Sequence, residues 1–435
     1  MRITRSLLVL LLAGTSTAAG QDGETLQALK GGQKPNVIII FTDDQGSVDM
    51  NIYGSTDLIT PNMDQLARQG VRFTQFYAAG PVCVPSRIGL LTGRIPQYGG
   101  LDGSGPLGAQ VMISEEMKKA GYATAHIGKW HLAHGPDALP NDQGFDYSFG
   151  HLDGCIDNYS HFFYWNGPNR HDLWRNGEEV FHDGEFFPDL MVKEAGDFME
   201  RNKDKPFFLY FAMNAPHYPY QGTTKWLEHY SDLEYPRNLY AAFVSTMDER
   251  IGQLLKKLDE LELRENTIVI FQSDQGHSTE VRAHSGGGNS GPYRGAKGSL
   301  YEGGLRVPAI ISWPGHLPEN EVRSQMATSC DWYPTMLELC KLPAAKHRID
   351  GKSLLPILAE ADASSAHQNF YWKFRDTSVV REGEWKLMVS EKKTELYDIP
   401  NDPGETANLA DEYPEVVTRL ANEVREYESR AVLYK

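Results

Sequence analysis

Four short apolar runs constrain this chain most: residues 37–41, 123–127, 207–211 and 267–271. Their side chains are mostly apolar, β-branched or aromatic, as in strands buried on both faces of a sheet. Helical patterns lie between them. One opens at Ser114 and closes at Gly121, with Glu115 and Glu116 in its first turn and Lys118 and Lys119 in its last. Those charges complement the helix dipole. A longer amphipathic pattern covers 242–261. Strands alternating with helices predict an α/β fold, a large and mainly parallel sheet sandwiched by helices.

Each strand runs straight into polar residues. The first ends in Thr42-Asp43-Asp44 and the second in Gly128-Lys129-Trp130-His131. The third leads to Pro216-His217, and the fourth to Ser273-Asp274-Gln275-Gly276-His277. Ligands of open α/β sheets bind beyond the carboxyl ends of the strands. One polar ending would be an ordinary loop. Four, carrying carboxylates, a lysine and histidines, predict a convergent site.

The composition changes near 359–368, which is rich in Ala, Ser and acidic residues. Beyond it, 378–381, 385–389 and 395–398 read as short antiparallel strands. Pro414 suits the first turn of a closing helix. The expected organisation is a catalytic α/β domain over 34–358 and a small α+β domain over 366–435.

The first twenty residues read as a signal peptide. Arg2 and Arg5 precede the apolar run 7–12, and Thr17 to Gly20 are small. The run is too short to span a bilayer. A secreted or periplasmic protein without a membrane span is expected. The formal net charge of −16 argues against a nucleic-acid partner and requires a locally basic pocket for any anionic ligand. Cys83, Cys155, Cys330 and Cys340 are too few for a disulfide scaffold. Cys330 and Cys340 flank a predicted helix that holds them too far apart to bridge.

Cys83 heads the motif Cys83-Val84-Pro85-Ser86-Arg87. Pro85 fits the first turn of a helix, so Cys83 belongs at or just before a helix N-terminus, a place that lowers a thiol pKa and favours anions. Arg87 lies one turn in. Three readings of Cys83 compete: a buried structural thiol, a thiolate nucleophile, and a thiol oxidised to an aldehyde. The pentapeptide matches the C-x-P-x-R signal for the third.

With this motif the chain resembles the formylglycine-dependent sulfatases of the alkaline phosphatase superfamily, from about residue 35 to about 409. The resemblance runs through 36–46, 83–94, 121–132, 144–150, 273–276, 294–308, 350–358 and 395–409. Residues 150–180, with Asp157-Asn158-Tyr159-Ser160-His161, look most like the arylsulfatase B branch, which removes 4-sulfates from N-acetylgalactosamine. The family resemblance implies an alkaline phosphatase-like sheet and Cys83 converted to formylglycine by a maturation enzyme. It implies a calcium ion on Asp43, Asp44, Asp274 and residue 83, and a sulfated glycan as substrate. Most members have Asn where this chain has Gln275, whose longer side chain either ligates the ion or leaves that place to water. Lys129, His131, His217 and Lys297 match sulfate-binding and proton-transfer positions, Arg87 is expected to act with calcium in activating residue 83, and Arg294 and Glu302 are read as orienting the loop rather than touching sulfate. His277 and His284 are read as sugar contacts or solvated loop residues. Tyr159, His161, Trp165, Arg170 and His171 are read as a sugar platform or a surface loop. Phosphoester or phosphonate hydrolysis, and glycan binding without catalysis, are the alternatives.

Overall fold

The computed structural model describes residues 34–97, 110–132, 137–164 and 167–433, with side chains through 430. The expected signal peptide lies outside the described residues.

A ten-stranded sheet organises the chain. Its strands are β1 (Asn36–Thr42), β2 (Val71–Phe73), β3 (Ala123–Lys129), β4 (Tyr147–His151), β5 (Trp174–Arg175), β6 (Glu178–Glu179), β7 (Phe207–Ala212), β8 (Thr267–Ser273), β9 (Ala309–Ser312) and β10 (Glu321–Arg323). The spatial order is β10-β2-β9-β8-β1-β7-β3-β4-β5-β6. The five central strands, from β8 to β4, are mutually parallel. The strands flanking them, β9 and β5, pair antiparallel. All four apolar runs are central strands.

Alternation along β1 shows why these runs lack a polar face. Val37, Ile39 and Phe41 join one hydrophobic core with Phe208, Tyr210 and Ile270. Ile38 and Ile40 join another with Leu209, Phe211 and Phe271. Successive side chains point to opposite faces, and helices cover both. On the second face lie α1 (Pro61–Arg68), α4 (Phe187–Arg201) and α5 (Arg237–Glu260). On α5, Tyr240, Phe243, Val244, Met247, Ile251, Leu254 and Leu258 are buried at helical spacing. This helix starts before the predicted 242, because Tyr240 already belongs to its buried stripe. The first face carries α2 (Cys83–Thr92), α3 (Ile113–Lys119) and α6 (Trp332–Leu339).

A four-stranded antiparallel sheet follows: β11 (Asn369–Phe374), β12 (Thr377–Glu382), β13 (Trp385–Val389) and β14 (Thr394–Asp398). Sequence reasoning missed β11, whose aromatic run Phe370-Tyr371-Trp372 follows the polar stretch. One face, with Phe370, Trp372 and Met388, packs on Tyr77, Leu300 and Leu305. The other, with Leu387 and Leu396, is covered by Leu420 and Val424 of α7 (Pro414–Leu433).

Candidate active site

The predicted polar endings converge where the central parallel strands terminate. Asp43 and Asp44 leave β1, Lys129 closes β3, and Asp274 and Gln275 leave β8. Two glycines permit this approach. A Cβ on Gly128 would lie 2.0 Å from the Ala212 carbonyl oxygen, and one on Gly150 would lie 1.8 Å from that of Gly128. Close strand packing therefore fixes Lys129 and, opposite it in register, His151.

Cys83 is the first residue of α2 and is buried. Its Sγ lies 3.5 Å from Lys129 Nζ, 3.6 Å from Asp43 Oδ1 and 3.8 Å from Gln275 Nε2. Lys129 Nζ donates to Asp43 Oδ2 at 2.7 Å, and Lys297 Nζ donates to Asp44 Oδ2 at 2.9 Å. Arg87 spans two carboxylates, Asp274 at 3.1 Å and Asp43 at 3.5 Å. Asp274 Oδ1 accepts the backbone N–H groups of Asp44 and Gln275, both at 3.0 Å. His217 Nδ1 lies 2.6 Å from the Tyr218 carbonyl oxygen, so the neutral ring carries its proton there. Its Nε2 lies 3.6 Å from Asp44 Oδ2. His131 is half-buried with a left-handed backbone (φ 57°) beside Gly154.

Burial and mutual charge set the protonation states. Burial opposes ionisation of Asp43, but Lys129, His217, Arg87 and Lys297 outweigh it and hold the carboxyl well below its usual range. Burial pushes Asp44 up to about 6 against Lys297. Burial and Asp43 push Asp274 well above its usual range. Lys129 and Lys297 are both raised despite burial, chiefly by Asp43 and Asp44 respectively. Burial keeps His131 and His217 neutral.

The helix N-terminus does not lower the Cys83 thiol. Burial pushes it up to about 12, against Lys129 and Lys297, and Asp43 and Asp274 add negative charge. The lowering expected from the helix end is outweighed because the thiol loses its water on burial. Cys83 is thus a neutral thiol, which disfavours the thiolate-nucleophile reading.

The residues present fit a hard cation. Asp43, Asp44 and Cys83 each place one ligand atom within 4.8 Å of the others. Gln275 Oε1 is buried and accepts no hydrogen bond among the described residues, while its Nε2 donates to Asp44. Clustered carboxylates and an orphaned amide oxygen match calcium's preference for oxygen ligands.

Other predicted positions lie outside this cluster. Glu302 is buried and accepts from Tyr77 and Lys386. Arg294 donates to the Tyr397 hydroxyl and the Glu405 carbonyl. Both tie the Lys297 loop to the second sheet. His277 is buried and its carbonyl oxygen accepts the Lys297 N–H at 2.9 Å, whereas His284 is exposed. The sugar platform is corrected in one member: His161 is fully buried and offers no face to a sugar. Arg170 pairs with Asp153, and Trp165 lies outside the described residues.

Sequence reasoning missed His151 and Tyr210. His151 ends a fifth parallel strand whose sequence Tyr-Ser-Phe-Gly-His is not a continuous apolar run. Tyr210 reads as core, yet its hydroxyl accepts from Arg87 at 3.3 Å.

A buried cysteine ringed by carboxylates and lysines at the strand ends of an α/β sheet defines a hydrolase built for anionic esters. Comparison with known proteins makes this specific. A family model described as sulfatase matches residues 35–342, and one described as N-sulphoglucosamine sulphohydrolase, C-terminal, matches 294–430. Human N-acetylgalactosamine-6-sulfatase is 31% identical, with 92% of this chain and 87% of the relative covered. Human arylsulfatase A is 32% identical, with 97% and 90% covered. The crystal structure of Ps i-CgsB in complex with k-i-k-neocarrahexaose superposes with a TM-score of 0.83 at 30% identity, covering 92% of this chain and 94% of that one. The chain belongs to the sulfatase family and is a sulfuric ester hydrolase.

Proposed function

We propose that this sulfatase removes sulfate from a sulfated carbohydrate, using Cys83 after its conversion to formylglycine and a calcium ion held by Asp43, Asp44, Asp274, Gln275 and residue 83. The observation that carries the reading is the placement of Cys83 Sγ within 3.6 Å of both Lys129 Nζ and Asp43 Oδ1. The relatives' names supply the substrate class, which includes 6-sulfated N-acetylgalactosamine. Resemblance of residues 150–180 to the arylsulfatase B branch points instead to a 4-sulfate. Residues 34–358 would form the catalytic domain and 366–435 the smaller one.

When present, formylglycine supplies paired hydroxyls on one carbon, one to attack sulfur and one to expel the product, and calcium supplies charge for the sulfate oxygens. The chain's own side chains do the rest. Arg87 stays charged between Asp43 and Asp274 and keeps both carboxylates in place. Lys129 and Lys297 present ammonium groups to the sulfuryl oxygens, stabilising charge that builds in the transition state. Lys297 Nζ, held charged beside Asp44, delivers the proton to the leaving sugar oxygen, and His217, neutral with its proton on Nδ1, presents Nε2 to the pocket as an acceptor. His131, held neutral, takes a proton from residue 83 as sulfate departs.

A maturation enzyme must act on Cys83 first, and the N-terminal sequence directs the chain to a secreted or periplasmic location where it meets glycans. No helix among the described residues is long and apolar enough to cross a membrane. Two measurements test the proposal. The tryptic peptide 73–87 should show the mass of an aldehyde in place of the thiol. The same preparation should release sulfate from 6-sulfated or 4-sulfated N-acetylgalactosamine, and turn over an aryl sulfate faster than the matched aryl phosphate. A plain cysteine mass in a fully active preparation would remove the formylglycine mechanism.

A further inference from the structure

Two histidines and an aspartate meet in the loop region between β4 and α4, away from the strand-end cluster. The short antiparallel pair Phe162–Phe163 and Arg170–His171 begins directly after His161 and ends on His171. The Gly184 N–H donates to the Tyr159 carbonyl at 2.8 Å, which brings Asp183 to the same place. One ligand atom from each of His161, His171 and Asp183 lies within 4.8 Å of the others.

Each imidazole has one nitrogen engaged. His161 Nε2 lies 3.1 Å from the Glu185 carbonyl oxygen, an acceptor, so this nitrogen carries the proton. His171 Nδ1 lies 3.0 Å from Glu179 Oε1, also an acceptor. His161 Nδ1 and His171 Nε2 are therefore left as lone pairs. Both atoms are buried and have no hydrogen-bond partner among the described residues. The His161 residue is 0% exposed, and the His171 side chain 6%. Buried ring nitrogens are rarely left unsatisfied, and two in one place ask for a shared partner. His161 also holds a left-handed backbone (φ 59°), uncommon outside glycine.

A histidine that donates one N–H to a carbonyl or carboxylate and offers the other nitrogen is the usual arrangement at metal sites, where the outer partner fixes the tautomer. Here both histidines have it, and Asp183 supplies a carboxylate from the solvent side. We propose that His161, His171 and Asp183 form a second metal site, separate from the calcium site, for a divalent transition metal of the zinc class. Imidazole nitrogens select zinc-like ions over calcium, and three protein ligands leave one position for water. The ion would pin the segment around Asp183 to the paired strands Phe162–Phe163 and Arg170–His171. Residues Asp153, Cys155 and Asp157 lie between the strand end at His151 and this pair, so the site would hold in shape the segment that borders the proposed active site.

The test is zinc binding by the full chain with calcium in excess and Cys83→Ala as background, which removes the one thiol of the active-site cluster. After chelator treatment and return to calcium, calorimetric titration with zinc ion alone should show one equivalent bound. Asp183→Asn, at an exposed position, should weaken zinc binding about 10-fold or more. His171→Ala should weaken it further, and circular dichroism checks that each variant is folded. If His171→Ala does not fold, Asp183→Asn decides. Failure to bind one equivalent overturns the site, as does binding that Asp183→Asn leaves unchanged. Neither result touches the sulfatase assignment, which is read from sulfate release.

Discussion

Lys129 Nζ lies 2.7 Å from Asp43 Oδ2, with both side chains fully buried. The same ammonium group stands 3.5 Å from Cys83 Sγ, so it neutralises a proposed metal ligand while facing the reacting residue. Replacing it by Lys129→Ala should cut kcat/KM by about 100- to 1,000-fold, the usual cost of losing one preorganised donor to transition-state charge. It also leaves Asp43 one partner short, and breaking a buried pair costs about 3–5 kcal/mol. Steady-state kinetics with a thermal melt separates the effects. Wild-type kcat/KM in the folded variant would remove Lys129 from sulfate stabilisation.

Cys83→Ala should abolish turnover and leave the fold intact. The side chain is small, and its Sγ contacts are long, 3.5 to 3.8 Å. Alanine is well tolerated in a helix, so the melting temperature should move by a few degrees at most. Sulfate release and a melting curve check this. Residual wild-type turnover would overturn the mechanism, whereas a collapsed fold would show that the thiol packs more tightly than its distances imply.

What the sequence disclosed divides along physical lines. Strand cores were legible because strands buried on both faces need unbroken apolar runs, and Asp43, Lys129, His217 and Asp274 follow from where those runs stop. β4 was not, because its Phe149 stands between Ser148 and Gly150 and the strand ends on His151, which breaks any apolar run. Protonation was least legible. The Cys83 thiol is raised by burial, and burial depends on what closes over a residue rather than on its neighbours in sequence. The pairing of His161 with His171 was hidden for a similar reason. The two were read together as part of a sugar platform or a surface loop, and only their buried nitrogens show an inward role.

Gln275 gives a calcium prediction. Its amide oxygen is buried and unbonded among the described residues, while its nitrogen donates to Asp44. Gln275→Leu keeps the volume and removes the oxygen. The calcium concentration for half-maximal activity should rise about 10-fold or more, with activity recovering as calcium is added. A calcium titration of sulfate release after chelation checks this. An unchanged midpoint would mean that Gln275 does not ligate the ion and that water holds its place.

Acid sensitivity should centre on Glu302 rather than on the active site alone. This buried carboxylate faces Lys386 Nζ at 3.0 Å, Arg306 at 3.5 Å and Arg381 at 3.8 Å. Burial opposes its charge, but Lys386, Arg381 and Arg306 prevail and bring the carboxyl from 4.5 down to about 2. A carboxyl depressed by folding stabilises the protein above its unfolded pKa, and that stability is lost as pH falls through the folded one. The window is therefore pH 4.5 down to about 2. Its full size is on the order of 3 kcal/mol at 1.4 kcal/mol per unit. Glu405, on the same Lys386 at 2.8 Å, is pushed up by burial and works in the opposite direction, so the net slope is smaller. Glu302 joins the Lys297 loop to β13 through Lys386, so its protonation loosens the second sheet from the site. Glu302→Gln should lower stability near neutral pH and flatten the loss between pH 4.5 and 2, as denaturant melts across that range would report. Parallel wild-type and variant curves would show that the acid response comes from other carboxylates.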